Sequence, residues 1–292
     1  MALTEEEAFQ VNANDCYFNA KNIQEQISWL KNEAPKNLIR TVTFYRKEDG
    51  SVSFKDDPNG KTQLVWSFSN PSSEANLFKW IDGYKAPVND FYFSIGGDPY
   101  NVTEMMVGKG SKGVIYVYRK DNDGDEDSGM PILRYCDRPK SKAIFYDYVM
   151  MVAEYFSCKI NMECDFQDWR EYWERQGKHR YMMKRPKSTI APNKINVQKR
   201  LPGQPSKDPF SMQVQFDMAY NYFEYRTHKV YFIELLEDAL IYDHTNRTKS
   251  DDTVAFSLSL CASTENMKAN VEVKTVTFLQ LKKPKVRGAS VF

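Results

Sequence analysis

At 292 residues the chain is long enough for one large core or two small ones. Its 41% hydrophobic and 14% aromatic content excludes a disordered chain, while a net charge of +1 argues neither for nor against a nucleic-acid partner. Five dispersed cysteines (Cys16, Cys136, Cys158, Cys164, Cys261) form no C-x-x-C pair, and no apolar run reaches 18 residues. The expectation is a cytosolic protein with reduced thiols, no zinc site, no disulfide frame and no membrane partner.

The first third reads as polar and turn-rich. "TVTFYRKEDGSVSF" alternates apolar and polar residues around Asp49-Gly50, which predicts a hairpin, and "GKTQLVWSF" predicts a further strand. From Phe91 the pattern becomes denser. "FYFSIGGD", "GVIYVYRK" and "MPILRYC" predict three strands joined by short loops, hence an antiparallel meander. Phe145, Val149, Val152 and Phe156 then place one apolar stripe on a helix, and "KINMEC" predicts a strand after it. A helical crossover of this kind sets that strand parallel to its neighbour. Further helices are expected at Gln167–Gly177, Ser211–Arg226, Glu234–Asp243 and after Asp252.

Three tempting motifs fail on spacing. "NGKT" ends like a phosphate-binding loop, but Lys55 stands where that loop needs its first glycine, so a hairpin turn is expected. "DNDGDEDSG" has Glu126 and Ile132 where a calcium loop needs Gly and Glu, and reads as a solvated turn. His179, His228 and His244 are dispersed and carry no zinc-site spacing.

An acidic set remains. Asp98 closes the first strand of the meander, after Gly96-Gly97, where absent side chains let a ligand or a backbone approach. Glu163 ends the strand expected to lie parallel to it. Asp251 and Asp252 open the last helix, where either also suits an N-cap. Ligands collect at the carboxyl ends of strands in an α/β sheet, so these residues are expected to converge there. Converging carboxylates without a basic partner need cations between them, and Mg²⁺ or Mn²⁺ suit all-oxygen ligands. Two such ions, about 3.5–4 Å apart, are the usual clamp for phosphodiester cleavage.

Residues 178–207 hold Lys178, Arg180, Lys184, Arg185, Lys187, Lys194, Lys199, Arg200 and Lys207 with no Asp or Glu. The segment is rich in Pro and Asn and reads as a loop for phosphate-backbone contact, with Lys184, Arg185, Lys187, Lys194, Lys199 and Arg200 as candidates. Lys282, Lys283, Lys285 and Arg287 form a second basic cluster.

With these residues in hand, the chain resembles the nuclease domain of the large terminase subunit of tailed bacteriophages, within the ribonuclease H-like superfamily. "EEEAFQVN", "FYFSIGGDPY", "CKINMECDF" and "KSDDTVAFSLSL" carry the resemblance, across roughly residues 4–265. It implies an α/β fold: a ribonuclease H-like mixed central sheet flanked by helices, with a β-rich extension at 1–87, a core at 88–265 and a basic tail at 266–292. It implies catalytic Asp98, Glu163 and Asp252, with Asp251 as a further metal ligand, and Glu104 as an auxiliary acid. The implied function is metal-dependent cleavage of double-stranded viral DNA concatemers. A packaging ATPase, small terminase subunit and portal are the implied partners, in the host cytoplasm at the procapsid. The chain has no Walker motif, so the motor half is expected to be missing from it. Ser250 and Ala255 depart from the family pattern, which leaves the ligand set open. A junction resolvase, another ribonuclease H-like nuclease, or a non-catalytic DNA-binding packaging module remain alternatives.

Overall fold

The computed structural model describes residues 16–65, 75–100, 111–122, 125–165, 168–195 and 199–266. Nine strands appear among them: β1 (Ile39–Arg46), β2 (Val52–Asp56), β3 (Thr62–Val65), β4 (Lys79–Ile81), β5 (Tyr84–Ala86), β6 (Phe93–Asp98), β7 (Gly113–Arg119), β8 (Met130–Asp137) and β9 (Ile160–Met162). The helices are α1 (Ala20–Asn32), α2 (Lys142–Phe156), α3 (Asp168–Arg175), α4 (Pro209–Tyr225), α5 (Ile233–Leu240) and α6 (Asp251–Ser263).

Seven strands form one sheet in the order β2-β1-β3-β8-β7-β6-β9, with β4 and β5 in a separate hairpin. Neighbours run antiparallel except β6 and β9, which are parallel. The meander β6-β7-β8, the crossover through α2 and the parallel β9 follow the order expected from sequence. The fold is a mixed α/β sheet flanked by helices, as expected. The strands expected as an N-terminal extension instead continue the central sheet, because β3 pairs with β8.

Side-chain alternation sorts β6 onto two faces. Phe93 meets Phe156 of α2, whereas Ser94 donates to the Ser259 carbonyl of α6 at 3.0 Å. Ser94, Gly96 and Asp98 therefore share the α6 face. Gly96 allows this packing: a Cβ there would overlap the Ser259 nitrogen and the Ala255 oxygen. The glycine admits a helix backbone, the second of the two approaches its sequence allowed. α6 is buried all round from Thr253 to Ala262, under α4 and α5.

α1 is the element the polar reading of the first third overlooked. Its buried face is only Ile23, Gln26 and Ile27, and Gln26 donates to the Val230 carbonyl at 2.9 Å. The basic stretch is not the free loop its composition suggested. It bridges from Met182 to Ile160 and from Gln204 to Glu163, which covers the outer edge of β9. Tyr181, Met182, Met183, Ile190 and Gln204 are buried.

Candidate functional site

The β6–β9 register pairs Gly96 with Asn161 and Gly97 with Met162, and the Glu163 amide donates to the Gly97 carbonyl at 2.9 Å. One step further along the parallel pair puts Asp98 beside Glu163, on the α6 face. Trp169 Nε1 holds the Glu163 carbonyl at 3.0 Å. The two acids act on each other's titration: Glu163 raises Asp98, whereas the Asp98 carboxyl lowers Glu163. Both residues retain some solvent-accessible surface.

α6 runs antiparallel to β6. From Ser259 to Asp251 the helix rises about 12 Å, and from Ser94 to Asp98 the strand advances about 13 Å. Contact at Ser94–Ser259 thus carries Asp251 to the level of Asp98. Successive helical residues turn by about 100°, so Asp251 and Asp252 cannot both face the pair. Asp251 accepts from the Lys112 amide at 3.1 Å and adds its charge to Asp98 and Glu163.

Asp252 points elsewhere, which corrects its expected place as a catalytic residue and metal ligand. Arg134 Nε and Nη2 hold its two oxygens at 2.6 and 2.9 Å, and the Tyr116 hydroxyl donates to it at 2.5 Å. Neither acid is the helix cap. Ser250 occupies the N-cap without a side-chain cap bond, and Asp238 of α5 accepts from the Thr253 amide at 2.8 Å instead. Burial pushes the Asp238 carboxyl up to about 7.

Electrostatics set the trio apart. Burial first, then Glu163 and Asp251, push the Asp98 carboxyl well above the usual range. Burial also raises Glu163, against the lowering effects of the Asp98 hydrogen bond and Arg247. Asp251 rises to about 6, chiefly through burial. Arg247 was not singled out in the sequence. It lies in the turn before α6 and opposes the rise of both Asp98 and Glu163.

Among the described residues, no three His, Cys, Asp or Glu side chains stand close enough to hold a metal ion. The Asp98–Glu163 pair, anionic once deprotonated and partly accessible, still fits one hard divalent cation by donor chemistry. Asp251 acts on it through space. Glu104, the C-terminal basic cluster and "EEEAFQVN" lie outside the described residues.

The basic candidates divide. Arg185 is buried, ion-paired with Asp208 and bonded to the Thr189 carbonyl at 2.5 Å, which corrects its assignment to phosphate contact. Arg200 is tied to Glu265 at 2.8 Å and to the Arg185 carbonyl at 2.6 Å, and is likewise removed from that role. Lys184, Lys187, Lys194 and Lys199 are exposed. Sequence counts charges but does not show which ones the fold consumes. Among the described residues no helix is long and apolar enough to cross a membrane.

No family model matches the chain, and no curated protein matches it. Among solved structures, the large terminase nuclease from thermophilic phage G20c is similar over 83% of this chain and 98% of that one, with 11% identity and a TM-score of 0.40.

Proposed function

We propose that the protein is a metal-dependent endonuclease that hydrolyses phosphodiester bonds of double-stranded DNA. The observation carrying this reading is the register that sets Asp98 beside Glu163 at the carboxyl edge of β6 and β9, with Asp251 as a third acid acting on Asp98. Asp98 and Glu163 would hold Mg²⁺ or Mn²⁺, with Asp251 as the outer arm. A divalent cation bound there would supply Lewis-acid stabilisation of charge developing on the phosphoryl and leaving oxygens. Asp98 and Glu163 would orient the reacting phosphate through the cation they hold, and a carboxylate of this group would take up the proton released as water adds to phosphorus and the ester P–O bond breaks. The exposed lysines Lys184, Lys187, Lys194 and Lys199 carry the charge for backbone contact.

The finer reading follows the sequence resemblance: cleavage of concatemeric viral DNA during genome packaging, beside an ATPase, a small terminase subunit and a portal. Supercoiled plasmid incubated with the protein and Mn²⁺, Mg²⁺ or EDTA tests the activity. Nicking and linearisation with either metal, abolished by EDTA, are the expected result. DNA binding without cutting in any metal overturns the enzyme and leaves a binding module. Preferential cutting of branched over linear duplex redirects the reading to a junction resolvase.

A further inference from the structure

Arg247 is a cation whose charge reaches both members of the acid pair. Its Nη2 donates to Gln215 Oε1 at 2.6 Å, and Gln215, buried on α4, also accepts from Ser257 of α6 at 3.3 Å. The guanidinium is therefore anchored at one corner. Its Nε and Nη1 are buried and make no hydrogen bond among the described residues. Arg247 forms no ion pair among the described residues, so it stands off from Asp98 and Glu163 while acting on both.

Such an arrangement is costly as it stands. A buried donor left unsatisfied keeps its desolvation cost uncompensated, and the cost grows when the donor is charged. Arg134 spends its donors on Asp252, and Arg185 on Asp208 and Thr189, whereas Arg170 and Arg180 each leave one buried nitrogen, Nε, without a partner among the described residues. Arg247 leaves two, Nε and Nη1, on either side of the Nη2 that Gln215 holds, and each can give a charged hydrogen bond to an oxyanion. The acids beyond it repel an anion unless a cation lies on them, so a phosphate fits between Arg247 and a cation-loaded acid pair.

We propose that Arg247 is a catalytic residue that binds a non-bridging oxygen of the scissile phosphodiester through Nη1, with Gln215 holding Nη2 and so fixing the guanidinium plane. The assignment rests on the nuclease reading.

The test compares the wild type with Arg247→Met and Arg247→Lys in Mn²⁺-dependent plasmid nicking, with Mn²⁺ affinity measured on each protein by calorimetry. Arg247→Met is expected to lower kcat about 10²-fold, with Mn²⁺ affinity unchanged or tighter because a positive charge has left the site. Arg247→Lys keeps the charge but not the planar guanidinium that Gln215 anchors, and is expected to recover only part of kcat. A kcat within twofold of wild type in Arg247→Met overturns the assignment. So does a fall in Mn²⁺ affinity that tracks the loss of kcat, which makes Arg247 a structural counter-ion. A wild type that neither cuts nor binds Mn²⁺ removes the nuclease reading, and this assignment with it, before any variant is compared.

Discussion

Strands β6 and β9 begin and end on opposite electrostatic terms. Where they begin, Asp90 accepts from the Lys159 amide at 2.7 Å and from Lys159 Nζ at 2.5 Å, so acid meets base. Where they end, Asp98 meets Glu163, and Asp251 adds a third acid. The two strands, the sheet and the covering helices are the same at both ends. Only the first arrangement serves folding by itself. The second places like charges together in a half-buried setting, which lowers stability and acquires a purpose only when a cation or substrate joins it.

The largest expected effect breaks this contrast at its acidic end. Asp98→Asn or Glu163→Gln is expected to cut Mn²⁺-dependent nicking by about 10³-fold. The same variants should be more stable than wild type at pH 8. Both carboxyls have folded pKa values raised above their unfolded ones. Their contribution is thus fully present below the unfolded value near 4 and is lost as pH rises through the folded value. Melting curves should show a gain in Tm at pH 8 that vanishes near pH 4. A lower Tm at pH 8 makes the pair a structural device and erases the contrast.

The adjacent acids of α6 come next. Arg134→Met leaves the half-buried Asp252 with the Tyr116 hydroxyl but no cation, with an expected loss of about 3 kcal/mol in urea unfolding. Asp251→Asn should leave stability intact or improved and lower nicking, since it removes a charge acting on Asp98. If Asp252→Asn is instead the variant that loses activity while keeping its stability, the assignment of the two roles is reversed.

At the opposite end of the strands, Asp90→Asn should cost about 1–3 kcal/mol through its weakened charged hydrogen bonds. Nicking should stay at the wild-type level. Loss of activity there would mean that both ends of β6 and β9 serve the same site.

Much of this site was legible because period-2 alternation, the glycine pair and the crossover rule all concern local backbone geometry. They located Asp98 and Glu163 at one sheet edge from residues 65 positions apart in sequence. The choice between Asp251 and Asp252 was not legible. It turns on a 100° rotation fixed by where α6 rests on Gly96, and on Arg134 waiting across the sheet, both of them tertiary facts. Arg247 was hidden for the same reason: a single arginine in a turn carries no pattern, and its anchor, Gln215, lies on another helix. α1 escaped because its short buried face includes a glutamine that only its carbonyl partner explains.

The smallest effects divide the basic segment in the same way. Lys187 and Lys194 are exposed, whereas Arg185 is buried against Asp208 and Thr189. Replacing either lysine by alanine should leave Tm unchanged. It should also lower the slope of log affinity against log salt by about 0.9 for each phosphate charge no longer neutralised. Arg185→Ala should do the reverse, destabilising the fold while leaving the salt slope alone, because its guanidinium is already spent inside the protein. Titrations of a labelled duplex at several salt concentrations, in Ca²⁺ to suppress cutting, distinguish the two. A lysine variant with an unchanged slope removes that residue from the DNA path, and an unchanged slope in both leaves the segment as cover for the edge of β9.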